Sequence, residues 1–491
     1  MRKSIYFLFS LAVVLSMLLG ACSQTQTAAP TTAPVEQPSE ETAVEPTATT
    51  APAEPAPVSE SGEVVTVKWF VGIGAGGRPE QLDSQQAVVD KFNETHPNIH
   101  LELEIVPSGG SAREILSTRI AANDVPDIVG PVGVAGSNEF NGLYLDLQPY
   151  IDKYNYDLSQ YDEASINFYN VPGEGMIGVP FGVYPAVLWY NLDLFDEAGL
   201  NYPPHAFGEK YVMPDGTEKD WDVDTMTELA KILTVDTNGK DATDPAFDPA
   251  NITQFGFQAQ WLDLRGTLAM FGAGKFVADD NVTAQIPDNW SAALNWYYDG
   301  IWKDHFIPNS TYIASDLLKA SGGEFDSNHV GMAFTHLWYT CCVLDVKNWD
   351  VAVPPAYNGT YTSNLHVDTF RIMKGSQHPD EAFQVLQWLT TEASSELLLI
   401  YGSMPARKAD QPAFFAELDK TFSQGVDWQV FVDALAYPDI PSHEGWLPNY
   451  NKSYARIGTL FTLIASTEGL NVNDELDKMK AELQAIYDEV R

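Results

Sequence analysis

Apolar and polar residues alternate regularly where the aromatic-rich body of the chain begins. Residues 65–71 carry Val or Trp at every second position, which predicts a strand, and a glycine-rich loop follows over residues 72–77. The pattern then continues as helix, strand, helix and short strand, over residues 79–93, 99–105, 113–122 and 127–129. This order is typical of an α/β sheet with both faces covered.

Helical spacing dominates the rest of the chain, with strands between the helices. Further helices are predicted over residues 224–233, 290–298 and 378–389, and a terminal helix carries Leu476, Met479, Leu483 and Ile486 on one face. Short apolar runs predict strands over residues 255–258, 329–334, 349–353 and 370–373. No repeat of fixed period occurs in the sequence.

The first 63 residues differ from the body. Arg2 and Lys3 precede an apolar run over residues 5–19, which is too short to favour a spanning helix and ends at Leu-Gly-Ala-Cys. This layout resembles a bacterial lipoprotein signal, so residues 1–22 are predicted to be a signal peptide ending at Cys22, the lipidated first residue of the mature chain. Residues 23–63 are mostly Thr, Ala, Pro and Glu, which predicts a disordered tether or, with nearly the same consequence, a disordered tail. The body is therefore expected to be extracytoplasmic, lipid-anchored to the outer face of the cytoplasmic membrane.

The composition of the chain restricts its partners. Its formal net charge of −40 argues against nucleic acid, because phosphate binding depends on clusters of Lys and Arg. The acidic surface is interpreted as a solvation feature. Residues 64–491 are enough for two packed domains, and they contain no apolar run long enough to cross a bilayer.

Three cysteines occur in the sequence, and two of them, Cys341 and Cys342, are adjacent. With Cys22 assigned to the leader, neither a disulfide framework nor a multi-cysteine metal site is available. Outside the cytoplasm, oxidation of the adjacent pair is permitted. Two alternatives stay open: a vicinal disulfide, which would form a flat apolar plate, or two buried thiols.

Two motifs suggest other ligands. Gly72, Gly74 and Gly77 match the dinucleotide-binding pattern, but Pro79 begins the helix after the glycines, and the second strand does not end at a carboxylate. The glycines are interpreted instead as allowing the backbone to approach a ligand. Residues 236–241 (DTNGKD) do not match an EF-hand, so they are interpreted as a turn, with another kind of calcium site as the alternative. We therefore predict no metal and no cofactor.

Residues 178–200 (GVPFGVYPAVLWYNLDLFDEAGL) are similar to the central signature of the family 1 extracellular solute-binding proteins. Other blocks follow in that family's order: Phe92-Asn93 with His96-Pro97, residues 126–129 (PDIV), residues 331–333 (GMA) leading to Trp338, residues 351–355 and residues 402–406 (GSMPA). Together the blocks span most of residues 64–460.

The resemblance implies a receptor of an ABC importer that binds a carbohydrate, most simply an oligosaccharide, by hinge closure and delivers it to the permease subunits. The implied fold is α/β, the two-lobed periplasmic binding protein fold of type II, with an interlobe ligand cleft and hinge crossovers. The first lobe would contain residues 64–183 and about 350–435, and the second residues 184–349 and about 436–491. Such receptors are expected to be monomers.

A sugar site needs aromatic rings for sugar faces and polar side chains for hydroxyl groups. By position in the family pattern, Trp338 would be the stacking aromatic, extended by a Cys341–Cys342 plate, and Tyr184 would reach in from the hinge. The remaining candidates are Gly74, Arg78, Glu80, Trp261, Arg265, Asp368 after a turn at residues 364–366, Trp446 and Asn449. The alternatives are a core position for Trp338 and surface ion pairs for the charged residues.

Two other functions also fit an exported chain rich in aromatic and acidic residues. An exported glycosidase would use two carboxylates and release shorter products, whereas a surface adhesin would bind polymer or cells without closing. The sequence does not identify the sugar, and it leaves open a polyol or a glycerol phosphodiester as the ligand.

Overall fold

The computed structural model describes residues 64–490 apart from residues 107–109, 134–137, 172, 261–263 and 441–446. The predicted signal peptide, Cys22 and the tether lie outside the described residues, as do Trp261 and Trp446. The side chains of Glu80 and Arg265 are also outside the described part. None of the helices in the described ranges is long and apolar enough to cross a membrane.

Strands and helices alternate over residues 65–132, and the later parts of the described chain contain runs of strands and runs of helices. The strands are β1 Val65–Val71, β2 Ile99–Ile105, β3 Ile128–Val132, β4 Asn170–Val171, β5 Gly175–Met176, β6 Val179–Asn191, β7 Lys210–Val212, β8 Glu218–Asp220, β9 Val235–Asp236, β10 Ile252–Ala259, β11 Val330–His336, β12 Trp349–Ala352, β13 Leu365–Ile372 and β14 Met404–Pro405. The helices are α1 Pro79–Thr95, α2 Gly110–Ala121, α3 Gln148–Tyr154, α4 Glu163–Asn167, α5 Leu192–Ala198, α6 Val223–Ile232, α7 Leu264–Ala269, α8 Asp288–Trp302, α9 Ser310–Ile313, α10 Pro379–Thr390, α11 Ser394–Tyr401, α12 Gln411–Thr421, α13 Gln429–Ala434, α14 Tyr450–Ser466 and α15 Val472–Asp488.

The alternating pattern at the start of the body forms the strands that it predicts. β1 and β2 pair in parallel over their whole length, from Val65 opposite Ile99 to Val71 opposite Ile105. Trp69 is fully buried, and its indole Nε1 donates a hydrogen bond of 2.7 Å to the Gly130 carbonyl oxygen at β3. Burial of Val67, Trp69 and Leu101, together with pairing along the whole of both strands, sets the register of this edge of the sheet.

The main sheet has the strand order β2-β1-β3-β13-β6-β11-β10-β9, and β12 and β14 also pair with β6. β1, β2 and β3 are parallel, and β13 runs antiparallel to β3 and to β6. On the other side of β6, β11 is antiparallel to β6 and parallel to β10. The sheet thus has two largely parallel parts, joined through β6.

β6 connects these two parts because its halves have different neighbours. Residues 179–185 pair with β13, whereas residues 186–190 pair with β11. All thirteen residues of β6 are buried. A strand that is covered on both faces needs a nearly continuous apolar run, and the sequence of residues 179–191 has that character.

The predicted turn at residues 364–366 is wrong, because β13 begins at Leu365. The Leu365 amide donates a 2.9 Å hydrogen bond to the Asp439 carboxylate, and Leu365 pairs with Pro185 of β6. Asp368 consequently lies inside a strand, in the part of β13 that borders β6.

Candidate functional site

A cavity of about 500 Å³ opens beside the carboxyl ends of β1 and β11, the usual position of ligands in open α/β sheets. The loop after β1 and the first turn of α1 form one part of its wall, and the 3₁₀ turn Leu337–Cys341 forms another. The ends of α11 and α12 complete it. The lining residues are Gly74, Ala75, Gly76, Gly77, Arg78, Gln81, Trp338, Thr340, Cys341, Tyr401, Gly402, Leu418, Thr421 and Phe422.

The glycine loop over residues 72–77 lines the cavity, and its close packing against neighbouring strands also requires glycine. A side chain at Gly74 would meet the Pro131 carbonyl oxygen at 2.2 Å, and Gly76 has a φ of +94°. Such a backbone conformation favours glycine. The close approach at Gly74 is thus to the backbone of β3, and the same loop also lines the cavity, so the prediction that its glycines let the backbone approach a ligand stays a prediction.

Side chains from α1 and α11 hold this loop in place. Gln85 is fully buried and donates from Nε2 to the Gly76 carbonyl oxygen at 2.7 Å, while its Oε1 accepts from the Tyr401 hydroxyl at 2.8 Å. Gln81 donates to the Ile400 carbonyl oxygen at 3.0 Å. The loop therefore presents a pre-formed surface to the cavity.

Trp338 lies half-buried where β6 changes neighbours. Its ring centroid is 3.9 Å from that of His336 on β11, 5.2 Å from that of Tyr184 on β6 and 5.3 Å from that of His366 on β13. His336 is itself positioned by its ring Nδ1, which donates a 2.6 Å hydrogen bond to the Tyr184 carbonyl oxygen. Three crossing strands thus orient one indole that also lines the cavity.

A hydroxyl and carboxyl network adjoins this indole. The Tyr184 hydroxyl donates a 3.4 Å hydrogen bond to Asp368 Oδ2 and also contacts the Ser403 hydroxyl. Burial and the nearby Asp368 charge raise the pKa of Tyr184 well above its usual value, so Tyr184 remains a neutral phenol. Burial also raises the pKa of Asp368 from 3.8 to about 7.

We expect the free energy of unfolding to depend on pH through Asp368. Since the folded state holds the Asp368 proton up to about pH 7 and the unfolded state releases it near 3.8, this group's stabilisation is complete below pH 3.8 and is lost progressively as the pH rises from 3.8 to about 7. The Asp368→Asn variant should therefore gain stability relative to the original protein between pH 5 and pH 8, measured by urea unfolding at both values. An equal difference at the two pH values would contradict the raised pKa.

The structure brings some of the predicted residues together and separates others. Gly74, Arg78 and Trp338 line the cavity, with Arg78 exposed at the start of α1, and Tyr184 and Asp368 adjoin Trp338. Asn449 is not brought to the cavity, because its amide donates to the Ile486 carbonyl oxygen and the Glu489 carboxylate, at 3.4 and 3.0 Å, at the end of α15.

Several cavity residues were not predicted from the sequence. The cavity is also lined by Tyr401, Thr421 and Phe422, and Ser403 contacts Tyr184. All four residues lie more than 60 positions from Trp338 in the chain, so no local pattern links them to it. The block at residues 402–406 was the available signal for Ser403. No periodic pattern distinguishes Phe422 from a core aromatic residue.

The acidic segment at residue 236 forms a turn. The buried Asp236 carboxylate accepts backbone N–H groups of Asn238, Lys240 and Asp248 at 2.7, 3.0 and 2.9 Å. Its oxygens are thus occupied by the chain itself. Across the described part of the chain, no group of three or more His, Cys, Asp or Glu side chains is arranged to hold a metal ion.

The sequence profile of the family described as "Bacterial extracellular solute-binding protein" matches residues 78–396. Among curated proteins, the sn-glycerol-3-phosphate-binding periplasmic protein UgpB of Brucella abortus is 31% identical over 153 residues, which cover 29% of this chain and 34% of UgpB. The match thus spans about a third of the length of that relative.

Solved structures share the fold over most of the chain. The sugar-binding protein MalE from Xanthomonas citri has a TM-score of 0.67 at 18% identity, covering 87% of this chain and 98% of its own. UspC of Mycobacterium tuberculosis has a TM-score of 0.65 at 20% identity, covering 86% and 100%. The cyclic alpha-maltosyl-1,6-maltose binding protein from Arthrobacter globiformis has a TM-score of 0.63 at 18% identity, covering 87% and 100%.

These likenesses confirm the predicted α/β, two-lobed periplasmic binding protein fold, with β6 among its crossing strands. The profile covers well over half of the chain and agrees with the ordered blocks of the sequence. The family is one of extracellular proteins, which indicates an extracytoplasmic location. The chain belongs to the bacterial extracellular solute-binding protein family.

Proposed function

We propose that this protein is the carbohydrate receptor of an ABC importer. The observation that carries the proposal is the wall of the 500 Å³ cavity, where the Trp338 indole adjoins the Tyr184, Ser403 and Asp368 network. An indole face suits the apolar face of a sugar ring, and the polar residues Gln81, Thr340 and Thr421 of the cavity wall suit its hydroxyl edges. The names of structural relatives, a sugar-binding protein and a cyclic maltosyl-maltose binding protein, support the same ligand class.

Closure around the ligand would be the working motion. Trp338 and the glycine loop line the same cavity but belong to turns after different strands, β11 and β1, on opposite sides of β6. A sugar that contacts both walls would favour the closed arrangement in proportion to its differential affinity for it. The permease subunits would then recognise the closed receptor. The lobe boundaries near residues 183, 350 and 435 remain part of this proposal.

The glycosidase alternative is less well supported by the cavity. Two-carboxylate hydrolysis needs two Asp or Glu side chains on either side of the scissile bond. None of the residues lining the described cavity is Asp or Glu, and the family and its structural relatives are binding proteins. We therefore propose a binding protein that releases its ligand unchanged.

The ligand could still be smaller or charged, since the UgpB relative is named for sn-glycerol-3-phosphate. Arg78 is the charged residue in the described cavity wall, and it is exposed. A neutral sugar would use it as a hydrogen-bond donor, whereas a phosphate ester would pair with its guanidinium. These two ligand classes differ in salt dependence, because only the second loses an ion pair as ionic strength rises.

A ligand panel tests the proposal. We expect the melting temperature and tryptophan fluorescence of the full chain to respond to one class among monosaccharides, oligosaccharides, polyols, glycerol phosphate and glycerol phosphodiesters. Ligand at about a hundred times its Kd should add about 2.7 kcal/mol to the free energy of unfolding. Intact ligand recovered afterwards supports a receptor, shorter products support a glycosidase, and no response to any compound would overturn the carbohydrate proposal.

The anchoring of the protein belongs to the same proposal. The leader, the lipidated Cys22 and the tether over residues 23–63 would hold a monomeric receptor at the outer face of the cytoplasmic membrane, near its permease. Lipidation is read directly from the mass of the mature amino-terminal peptide.

A further inference from the structure

Cys341 and Cys342 are joined by a disulfide at the wall of the cavity. Cys341 is exposed and lines the cavity in the same 3₁₀ turn as Trp338, three residues away. Cys342 is half-buried and packs against the apolar core. Cys341 therefore lies at the cavity wall while Cys342 is backed by protein.

The backbone on both sides of this disulfide is held independently of the sulfur–sulfur bond. The Tyr339 carbonyl oxygen accepts the Cys342 and Val343 amides at 2.9 and 3.2 Å. Asp326 is 1% exposed, and its carboxylate accepts the amides of Leu344, Asp345 and Val346 at 2.7, 2.6 and 3.3 Å. These contacts anchor the segment whichever way the two sulfurs are bonded.

Gly322 adds a steric contact to this anchoring. A Cβ atom at Gly322 would lie 1.9 Å from the Cys342 carbonyl oxygen, so only glycine allows the two backbones to approach so closely. The Gly322 amide also donates to Asp326 Oδ2 at 3.3 Å. Opening the disulfide should accordingly change the local cavity wall far more than the fold.

We propose that the Cys341–Cys342 disulfide is a ligand-contacting part of the cleft and that it makes capture of the ligand depend on oxidation. The inference rests on the proposed function and extends it to the regulation of the same site. The disulfide ties Cys341, which lines the cavity beside Trp338, to the half-buried Cys342 and so holds it as a rigid apolar part of the wall. Two separate thiols rotate independently and cover the ligand face less completely, so part of the binding surface is lost.

The reaction that would switch the site is a simple exchange. A dithiol reductant attacks one sulfur through its thiolate and breaks the Cys341–Cys342 bond. Each cysteine sulfur gains one electron and one proton, and the reductant becomes a cyclic disulfide. Cys341 is the accessible sulfur for this attack, because it is exposed in the cavity, whereas Cys342 is half-buried.

The test compares the full chain in its oxidised and dithiothreitol-reduced forms, with the number of free thiols counted in each. Both forms are titrated with the compound found in the ligand panel, well below their melting temperatures. We expect reduction to raise Kd by about fivefold or more, which corresponds to a partial loss of apolar contact, and reoxidation to restore it. The Cys341→Ser/Cys342→Ser variant should bind like the reduced protein and should not respond to dithiothreitol.

Each other result has a definite meaning. Equal Kd values for the oxidised and reduced forms overturn the redox inference but leave the receptor proposal intact. Binding of no compound by either form overturns both. A melting temperature that collapses on reduction assigns the disulfide to folding and also overturns the inference, and the double serine variant checks this result without reductant present.

Discussion

Replacing Trp338 with alanine is expected to weaken ligand binding by roughly 1–3 kcal/mol, or about 5- to 150-fold in Kd. The indole is the largest aromatic surface in the described cavity wall, and three strands orient it through His336, Tyr184 and His366. Truncation removes that surface without removing any residue of the glycine loop. Isothermal titration with the compound from the panel measures the change.

The matched control is Trp302→Ala. Trp302 is also half-buried, but it ends α8, and its indole Nε1 donates to the Ile464 carbonyl oxygen at 2.9 Å. Its loss should lower the melting temperature and leave Kd unchanged. If Trp338→Ala lowers only the melting temperature in the same way, Trp338 is a core residue, and the aromatic platform of the proposed site is wrong. Trp338→Phe should fall between the original protein and alanine.

The largest effect on stability is expected from Asp326→Ala. The buried carboxylate accepts three consecutive amides, from Leu344 to Val346, and removing it leaves these donors without their acceptor. Because hydrogen bonds to a charged group contribute about 1.5–3 kcal/mol each and buried unpaired donors are costly, we expect a loss of about 3 kcal/mol or more. Urea unfolding at neutral pH measures it.

Asp326→Asn and Asp316→Ala separate the carboxylate from general effects of substitution. Asparagine keeps one acceptor oxygen, so Asp326→Asn should lose less stability than Asp326→Ala. Asp316 is an exposed carboxylate in the same region, and its removal should change stability by no more than about 0.5 kcal/mol. An Asp326→Ala loss as small as that of Asp316→Ala would show that Asp326 does not anchor the segment after the disulfide.

Local pattern predicted the first part of the fold well. β1 and β2 occupy the predicted residues 65–71 and 99–105, because apolar residues alternate with polar ones over most of each strand and this alternation is visible in the sequence. The turn predicted at residues 364–366 is wrong because contacts with distant parts of the chain override the local preference. Asn364 favours a turn locally, but pairing with β6 and hydrogen bonds to the Asp439 carboxylate hold this segment as a strand.

The sequence of β6 indicates the family but does not predict which strands pair with β6. Residues 178–200 indicated the family, yet the uninterrupted apolar run does not reveal that its halves pair with β13 and with β11. Strand partners are chosen by contacts across 150 residues or more, as between Tyr184 and His336. The cavity shows the same limit. Trp338 was predicted from its position after the block at residues 331–333, whereas Phe422 and Ser403 were not predicted, because they are brought to this region only by the fold.

The sequence alone determined the family, the order of the first strands and helices, the acidic character and the candidate status of Trp338, Tyr184 and Asp368. The order of elements and the acidic character follow from periodicity and composition, whereas the family and the candidate residues follow from the resemblance of the ordered sequence blocks to that family. Only the tertiary structure decided that Asn449 lies at α15 and that the Trp338 indole, the glycine loop and Phe422 share one cavity. The physical reason is that burial, pKa and ligand contact depend on neighbours brought by other strands and helices, which no local pattern encodes.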